Sequence, residues 1–119
     1  MGKTVLTPEL LLSAYAQGVF PMAAGRDSHA IRWYDPPMRG IIPLAGFHVP
    51  KSLAKFARKA PYTITMDVAF REVMTACADT PRGHESGTWI NDEIIDAYCE
   101  LHAASHAHSV EVWTPISEE

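Results

Sequence analysis

The spacing of apolar and polar positions predicts two helices in the first 60 residues. The first helix should occupy residues 7–17, since Thr7 can cap it and Pro8 suits its first turn. Gly18 is a natural residue just beyond its end. The positions at helical spacing that should face a core are Leu11, Leu12, Tyr15 and Val19. After this helix the pattern predicts a loop at residues 21–30. Two short extended segments are predicted at residues 31–34 and 40–44.

The second predicted helix, residues 51–59, divides cleanly into an apolar and a cationic face. The apolar arc of the helical wheel holds Leu53, Phe56, Ala57 and Ala60. The opposite arc holds Lys51, Lys55, Arg58 and Lys59. We therefore expect one face of this helix to be buried and the other to meet solvent or an anion.

The second half reads as strand, helix, helix, strand. The strands are predicted at residues 62–66 and 109–113, and the helices begin after Asp67 and Asn91, each acting as a cap. The apolar side chains expected to face inward are Phe70, Val73, Met74, Cys77, Ile94, Tyr98 and Leu101. Four carboxylates share the outer face of the last helix, where we expect them not to shape a pocket: Asp92, Glu93, Asp96 and Glu100. A sheet of only two such strands leaves an unpaired edge through which copies of the chain could associate.

Composition fits a globular chain rather than a disordered or membrane-spanning one. Of 119 residues, 47% are apolar, and no apolar run approaches the roughly 18 residues that suggest a membrane span. The first residues lack the features of a secretory signal. The two cysteines, Cys77 and Cys99, are interpreted as reduced thiols, so the expected location is the cytoplasm.

Charge is divided unevenly between the halves. Residues 1–60 carry eight basic and three acidic side chains, whereas residues 61–119 carry two basic and eleven acidic ones. Such asymmetry indicates an anionic partner at one end and a cationic one at the other, although an uneven but ordinary solvated surface is the alternative.

Other chemistry is weakly supported. His102, His106 and His108 lack the partners and spacing of a known metal site, so packing or helix capping is the favoured role and no metal is expected. Both cysteines lie on or beside apolar stripes, which argues against a nucleophile. No glycine-rich phosphate loop is present, and no cofactor is predicted.

The aromatic residues are more informative. Trp89 lies just before the cap of the last helix, where an indole can stack on a flat ligand such as a nucleobase. For Trp33 and Trp113 the favoured interpretation is a core anchor.

Several segments, taken in order, resemble the bacterial leucyl/phenylalanyl-tRNA–protein transferases over nearly the whole chain. They are residues 6–11, 14–22, 33–36, 39–40, 42–44, 47–49, 52–53, 87–90, 97–98, 101–102 and 105–113. Each motif alone is only weakly specific for the family, but the motifs in this order are quite specific for it. Ser105 stands where members usually have glycine.

The resemblance implies an α+β fold. It implies a small N-terminal α/β domain, residues 1–60, followed by the first β-α-α-β part of an N-acetyltransferase-like domain, residues 61–119. Members of the family continue beyond this point, and the residues assigned to catalysis lie there. We therefore expect no catalytic residue in this chain and no transfer by this chain alone.

The implied reaction moves Leu or Phe, less often Met, from aminoacyl-tRNA to acceptor proteins that begin with Lys or Arg, which marks them for degradation. The implied 3′-adenosine site holds Trp89, Tyr15 and Tyr98, with Met22 where many members have a second tryptophan. The cationic face of the second helix is expected to bind the tRNA backbone. The alternatives are an inactive tRNA-binding or protein-interaction remnant and, more remotely, a small-molecule acyltransferase of similar fold.

Overall fold

The computed structural model describes residues 5–80 and 87–115. In chain order the elements are α1 (Pro8–Ala16), β1 (Phe20–Ala23), β2 (Ile31–Tyr34), α2 (Lys51–Lys59), β3 (Thr63–Met66), α3 (Phe70–Asp79), α4 (Asp92–Ala103) and β4 (Val110–Trp113). The strands form two separate antiparallel pairs, β1 with β2 and β3 with β4. This mixture of helices and small antiparallel sheets confirms the α+β class. None of the described helices has the length and apolar character needed to cross a bilayer.

The first strand pair corrects the predicted loop at residues 21–30. β1 pairs with β2 so that Phe20 lies opposite Tyr34 and Ala23 opposite Ile31. Pro21 has no amide hydrogen to donate, which disfavours a strand at this position. It is accommodated because β1 has a single strand partner among the described residues, and proline is tolerated in such an edge strand.

The extended segment predicted at residues 40–44 does not form a strand. Its apolar side chains lie in solvent, and Leu44 is 97% exposed. β-branched composition alone is a weak signal, because strand formation depends on a neighbouring strand that the described chain does not supply here.

Helix α2 has the predicted bounds, but the expectation of a buried face is wrong. No residue of α2 is buried, and Leu53 and Phe56 are 50% and 58% exposed. The ring of Phe56 lies 6.1 Å from that of Tyr62 just beyond the helix. The apolar arc exists, therefore, but the described residues do not cover it.

The start of α3 also differs from the prediction. Asp67 was expected to cap this helix, but α3 begins at Phe70 and its N-cap position is Ala69. Asp67 has a φ of 62°, in the left-handed region, and its carboxylate accepts a hydrogen bond from the backbone amide of Ser109. It cannot cap α3 because it is already bound at the start of β4.

The core is centred on α4, which packs against α1, α3 and β1. Leu11 of α1 and Ile94 of α4 are fully buried, and Ile95, Ala97 and Leu101 join them. Several side chains that were expected to face inward are exposed instead: Leu12, Tyr15, Trp33, Cys77 and Trp113. The periodicity of α1 correctly predicted that Leu11 is buried. The buried face of α1 includes fewer residues than the apolar pattern predicted, because Leu12 and Tyr15 are exposed.

The end of α4 is closed by two backbone hydrogen bonds. The amide of Ser105 donates to the carbonyl of His102, and the amide of His106 donates to that of Leu101. This is the Schellman arrangement, whose residue beyond the cap adopts a left-handed conformation and is usually glycine. Ser105 takes that position with a φ of 67°. A side chain at this position costs conformational energy that glycine would not incur.

We expect Ser105→Gly to raise the free energy of unfolding by up to about 1 kcal/mol, because relief of the left-handed strain exceeds the entropic cost of glycine. Urea denaturation measures this difference. Ser105→Ala is the matched control and should give no gain, since alanine keeps the Cβ atom. Equal stability of the serine and glycine variants would show that Ser105 is not strained.

Candidate functional site

The predicted adenosine-binding residues lie on three elements that pack together. Tyr15 is on α1, Met22 is on β1, and Tyr98 is on α4, while Trp89 lies in the segment that enters α4. Each of α1, β1 and α4 packs against the other two. The fold thus brings four residues that are widely separated in sequence to neighbouring elements.

The two tyrosines meet directly. The hydroxyl groups of Tyr15 and Tyr98 are hydrogen-bonded, and the rings lie edge to face with centroids 6.4 Å apart and an interplanar angle of 87°. Tyr15 is exposed, and Tyr98 is half-buried against the core. Burial, and then the hydrogen bond with Tyr15, raise the pKa of Tyr98. Tyr98 therefore remains a neutral phenol that can both donate and accept a hydrogen bond.

Trp89 is held by the backbone around it. It is half-buried and packs against the core, and its carbonyl accepts a hydrogen bond of 2.8 Å from the amide of Ala23 in β1. Gly87 permits the turn before it with a φ of 98°. The Oγ1 atom of the buried Thr88 accepts from the amide of Ile90 at 3.2 Å. The backbone of Trp89 is thus held in place, and its side chain packs against the core while keeping a partly open surface, which suits stacking on a planar ligand.

Met22 lies next to the same backbone contact. It precedes Ala23 in β1, is half-buried, and stands opposite Arg32 of β2. The Ala23–Trp89 hydrogen bond therefore joins the strand that carries Met22 to the segment that carries Trp89.

The segment before α4 is fixed by a buried asparagine. Asn91, as predicted, caps α4 by accepting from the amide of Ile94 at 2.8 Å. Its Nδ2 atom also donates to the carbonyl of Ser28 at 2.8 Å. Arg26 adds ion pairs to Asp79 at 3.1 Å and Asp92 at 2.7 Å. These contacts join the turn after β1 to the start of α4 and to the end of α3.

The cations of α2 are all exposed: Lys51, Lys55, Arg58 and Lys59. The apolar arc of α2 is exposed as well, so the division of the helix into two faces is not accompanied by burial. The structure places these cations on an element separate from the tyrosine pair.

A second polar cluster was not anticipated from the sequence. The carboxylate of Glu111, buried on β4, accepts from Thr65 Oγ1 at 2.6 Å, from the amide of Val68 at 3.2 Å and from the hydroxyl of Ser109. These donors, Ser109 first, lower the pKa of Glu111. Trp113 Nε1 donates to Thr65 Oγ1 at 2.8 Å. The alternation of residues 109–113 was the available signal, since it places Ser109, Glu111 and Trp113 on one face.

Two of the three histidines, His102 and His108, have structural side-chain contacts, and His106 contributes its backbone amide to the end of α4. His102 Nδ1 donates to the carbonyl of Ala107 at 2.9 Å, and its ring stacks on Phe70 with centroids 4.4 Å apart. His108 Nδ1 lies 2.8 Å from Asp67 Oδ2. Within residues 5–80 and 87–115, no group of three or more His, Cys, Asp or Glu side chains could hold a metal ion. Burial raises the pKa of Cys99, which disfavours a reactive thiolate.

The acidic face of α4 corrects another expectation. A cavity of about 610 Å³ is lined by Asp92, Glu93, Asp96 and Glu100 together with residues 5–6 and 26–29. Asp92 pairs with Arg26, and Asp96 pairs with Arg71 of α3 at 2.9 Å. These carboxylates do shape a cavity, because the turn after β1 folds back over the start of α4.

Two family models match the chain. Residues 41–117 match the family model described as leucyl/phenylalanyl-tRNA protein transferase, and residues 5–37 match the model of its N-terminal domain. The chain belongs to the leucyl/phenylalanyl-tRNA protein transferase family. The two models meet between residues 37 and 41, and the domain boundary at residue 60 stays a prediction.

Curated relatives carry the same family name. A leucyl/phenylalanyl-tRNA–protein transferase of Paramagnetospirillum magneticum is 50% identical over 108 residues, which cover 91% of this chain and 51% of the relative. Those of Nitrobacter winogradskyi and Cereibacter sphaeroides are 47% and 49% identical, covering 91% and 94% of this chain and 48% and 50% of the relatives. The chain thus spans about half the length of the curated relatives it matches.

The Asp67 carboxylate predicts a specific pH dependence of stability. The hydrogen bond from His108, followed by that from Ser109, lowers the pKa of Asp67. A carboxyl group whose folded-state pKa lies below its unfolded value contributes stability above the unfolded pKa. That contribution is lost as pH falls through the folded-state pKa.

We expect the difference in Tm between the natural chain and Asp67→Asn to be largest near pH 6 and to shrink below about pH 4. Asparagine tolerates the left-handed backbone at this position, so the substitution mainly removes the titrating charge. Thermal unfolding followed by circular dichroism measures the difference. A Tm difference that is constant between pH 6 and pH 3 would contradict the prediction.

Proposed function

We propose that this chain forms the aminoacyl-tRNA-binding part of a transferase that moves Leu or Phe, and less often Met, to acceptor proteins with N-terminal Lys or Arg. The observation that carries the proposal is the meeting of Tyr15 and Tyr98 where α1 packs on α4, the helix that the Trp89 segment enters. Family membership supports the same reaction class. The product would carry a degradation signal, and the reaction would take place in the cytoplasm.

The chemistry explains what such a site must do. In aminolysis of an aminoacyl ester, the acceptor's α-amine attacks the ester carbonyl, and the ribose oxygen of the terminal adenosine leaves with a proton. The ester is already activated, so the transfer needs no ATP. The enzyme must hold the ester and amine in register, deprotonate the amine and stabilise the developing oxyanion. We assign none of the proton-transfer roles to this chain.

The proposed role of this chain is to hold the terminal adenosine. Trp89 supplies a fixed aromatic surface for stacking, and Met22, on the adjacent strand, supplies a thioether that can pack on the same base. The hydroxyl groups of Tyr15 and Tyr98 offer a hydrogen-bonding pair beside it. Stacking of a base on an aromatic side chain contributes about 1–3 kcal/mol, enough to matter for a short, single-stranded 3′ end.

The tRNA body would meet α2. Its four exposed cations lie on one face of the helix. Two of them, Arg58 and Lys59, are in the last turn, where a positive charge is favoured by the negative end of the helix dipole. Exposed lysine and arginine bind phosphates without reading sequence, which suits a contact with the tRNA backbone.

A chimera tests the transfer reaction and the role of Trp89 together. In it, this chain replaces the matched residues of the Paramagnetospirillum magneticum relative. We expect the chimera to transfer labelled Leu from Leu-tRNA to a peptide beginning with Lys. Trp89→Ala should raise KM for Leu-tRNA about 5- to 150-fold, which corresponds to the loss of about 1–3 kcal/mol of stacking. Trp89→Phe should retain most of the affinity for Leu-tRNA, because phenylalanine keeps an aromatic ring.

Trp113→Ala is the matched control, since Trp113 is the exposed tryptophan of β4 and lies outside the proposed site. It should leave KM for Leu-tRNA unchanged. A folded chimera that transfers nothing, beside an active unaltered relative, would contradict the proposed reaction. A loss of thermal stability in Trp89→Ala without a change in KM would show that the indole serves only the core.

Charge reversal on α2 tests the tRNA contact directly in the 119-residue chain. We expect Lys55→Glu with Lys59→Glu to weaken tRNA binding and to reduce the slope of log K against log salt by about two, roughly one per lost phosphate contact. Filter binding across a salt series measures both quantities.

Arg32→Glu supplies the comparison, because Arg32 is an exposed cation on β2. It changes the net charge but should leave most of the salt slope intact. If the α2 reversal changes neither affinity nor slope, the cations of α2 are only solvated.

A further inference from the structure

The turn between β1 and β2 is closed by its own hydrogen bonds. The amide of Ala24 donates to the carbonyl of Ala30 at 3.0 Å, and the amide of Ser28 donates to that of Gly25 at 3.1 Å. The hydroxyl oxygen of Ser28 accepts from the amide of Ala30 at 3.1 Å. Because these contacts are internal to residues 24–30, we expect the turn to keep its shape as a unit. We call these residues the β1–β2 turn.

Arg26, in this turn, binds two helices with one guanidinium group. Its Nε atom donates to Asp79 Oδ1 at 3.1 Å, and its Nη1 atom donates to Asp92 Oδ1 at 2.7 Å. Asp79 is the last residue of α3, and Asp92 is the first residue of α4. The donors of a guanidinium point in fixed directions within one plane. The two contacts therefore hold the end of α3 and the start of α4 in a defined relation to the β1–β2 turn.

Arg26 also supplies a positive charge that α3 lacks. The last turn of α3 contains no basic residue, and it ends in Asp79, where a carboxylate is disfavoured by the negative end of the helix dipole. Asp92, in contrast, lies at the favourable positive end of α4. Both carboxylates lie beside the same guanidinium, so without Arg26 they would repel each other.

Two further hydrogen bonds join the same region to the segment that carries Trp89. The amide of Ala23 donates to the carbonyl of Trp89 at 2.8 Å. The Nδ2 atom of Asn91 donates to the carbonyl of Ser28 at 2.8 Å. Together with the ion pair of Arg26 to Asp92, these contacts hold the segment entering α4 at three positions close to the indole.

The ion pairs of Arg26 have a local effect rather than a global one. The side chains of Asp79 and Asp92 are 58% and 85% exposed. Ion pairs with carboxylates this exposed contribute little to the free energy of unfolding of a protein. What they restrict is the movement of the start of α4 away from the β1–β2 turn.

We propose that Arg26 is a positioning residue for Trp89: by bridging Asp79 and Asp92, it keeps the segment that carries the indole against β1 and so increases the affinity for aminoacyl-tRNA. The inference rests on the proposed function, in which Trp89 stacks on the terminal adenosine. Arg26 acts through Trp89, and we assign it no contact of its own with the substrate.

Amide hydrogen exchange in the 119-residue chain tests the positioning step without any transfer reaction. The amide of Ala23 reports directly on the hydrogen bond to Trp89, and that of Ile94 reports on the Asn91 cap. We expect Arg26→Ala to speed exchange at both amides about tenfold, while amides in the middle of α4 keep their rates, because local opening is separate from global unfolding. Unchanged exchange at Ala23 would overturn the proposal.

A double-mutant cycle in the chimera with the Paramagnetospirillum magneticum relative tests the consequence for binding. Arg26→Ala should raise KM for Leu-tRNA about threefold or more and leave kcat unchanged, as expected when binding energy common to the ground and transition states is lost. In the Trp89→Ala background the same change should alter KM by less than about 1.5-fold, because the indole that Arg26 positions is absent. A merely structural role would have the same effect in both backgrounds.

Arg71→Ala is the matched control, since Arg71 also pairs with a carboxylate of α4, but with Asp96 inside the helix rather than at its start. It should leave both KM and the exchange rate of the Ala23 amide unchanged.

The outcomes separate this inference from the proposed function. If Trp89→Ala raises KM but Arg26→Ala does not, or if Arg26→Ala acts equally with and without the indole, the inference is wrong and the role of Trp89 stands. An effect of Arg71→Ala as large as that of Arg26→Ala would also overturn it. If Trp89→Ala leaves KM unchanged, the proposed adenosine site fails, and the inference fails with it.

Discussion

The packing of α4 is the interaction on which the other described elements depend. Ile94 of this helix is fully buried, and the helix contacts α1, α3 and β1. Asn91 starts the helix, and the left-handed Ser105 ends it. Because Trp89 and Tyr98 lie immediately before and within this helix, its position sets the position of the candidate site. A change that shifted α4 would therefore act on stability and on the site together.

Cationic, acidic and apolar surfaces lie on different elements of the structure. The cations of α2 are exposed on one element, and the carboxylates of α4 line a cavity on another. On the β3–β4 pair, one face exposes the apolar side chains Ile64, Met66, Val110 and Val112, while the other face holds the buried, hydrogen-bonded carboxylate of Glu111.

The residues that sequence analysis singled out differ in how well they could be placed. Thr7 and Asn91 were identified as caps because a side-chain acceptor at a helix start acts within three residues, and both accept the expected amide hydrogen bond. Asp67 has the same chemistry but is not a cap, because His108 and Ser109, more than 40 residues away, hold its carboxylate. Tyr15 and Tyr98 were implied by family resemblance, and only the packing of α1 on α4 showed that their hydroxyl groups meet.

The sequence by itself determined the helices, three of the four strands, the cationic arc of α2 and the family motifs. These depend on local periodicity, on caps and on residue order, all of which can be read from neighbouring positions. The tertiary structure decided strand β1, the exposure of the apolar arc of α2, the exposure of the apolar side chains of β3 and β4, and the cavity beside α4. Periodicity shows that a helix or strand has an apolar side, but whether that side is buried depends on which other segment packs against it. That is a property of contacts between residues distant in sequence.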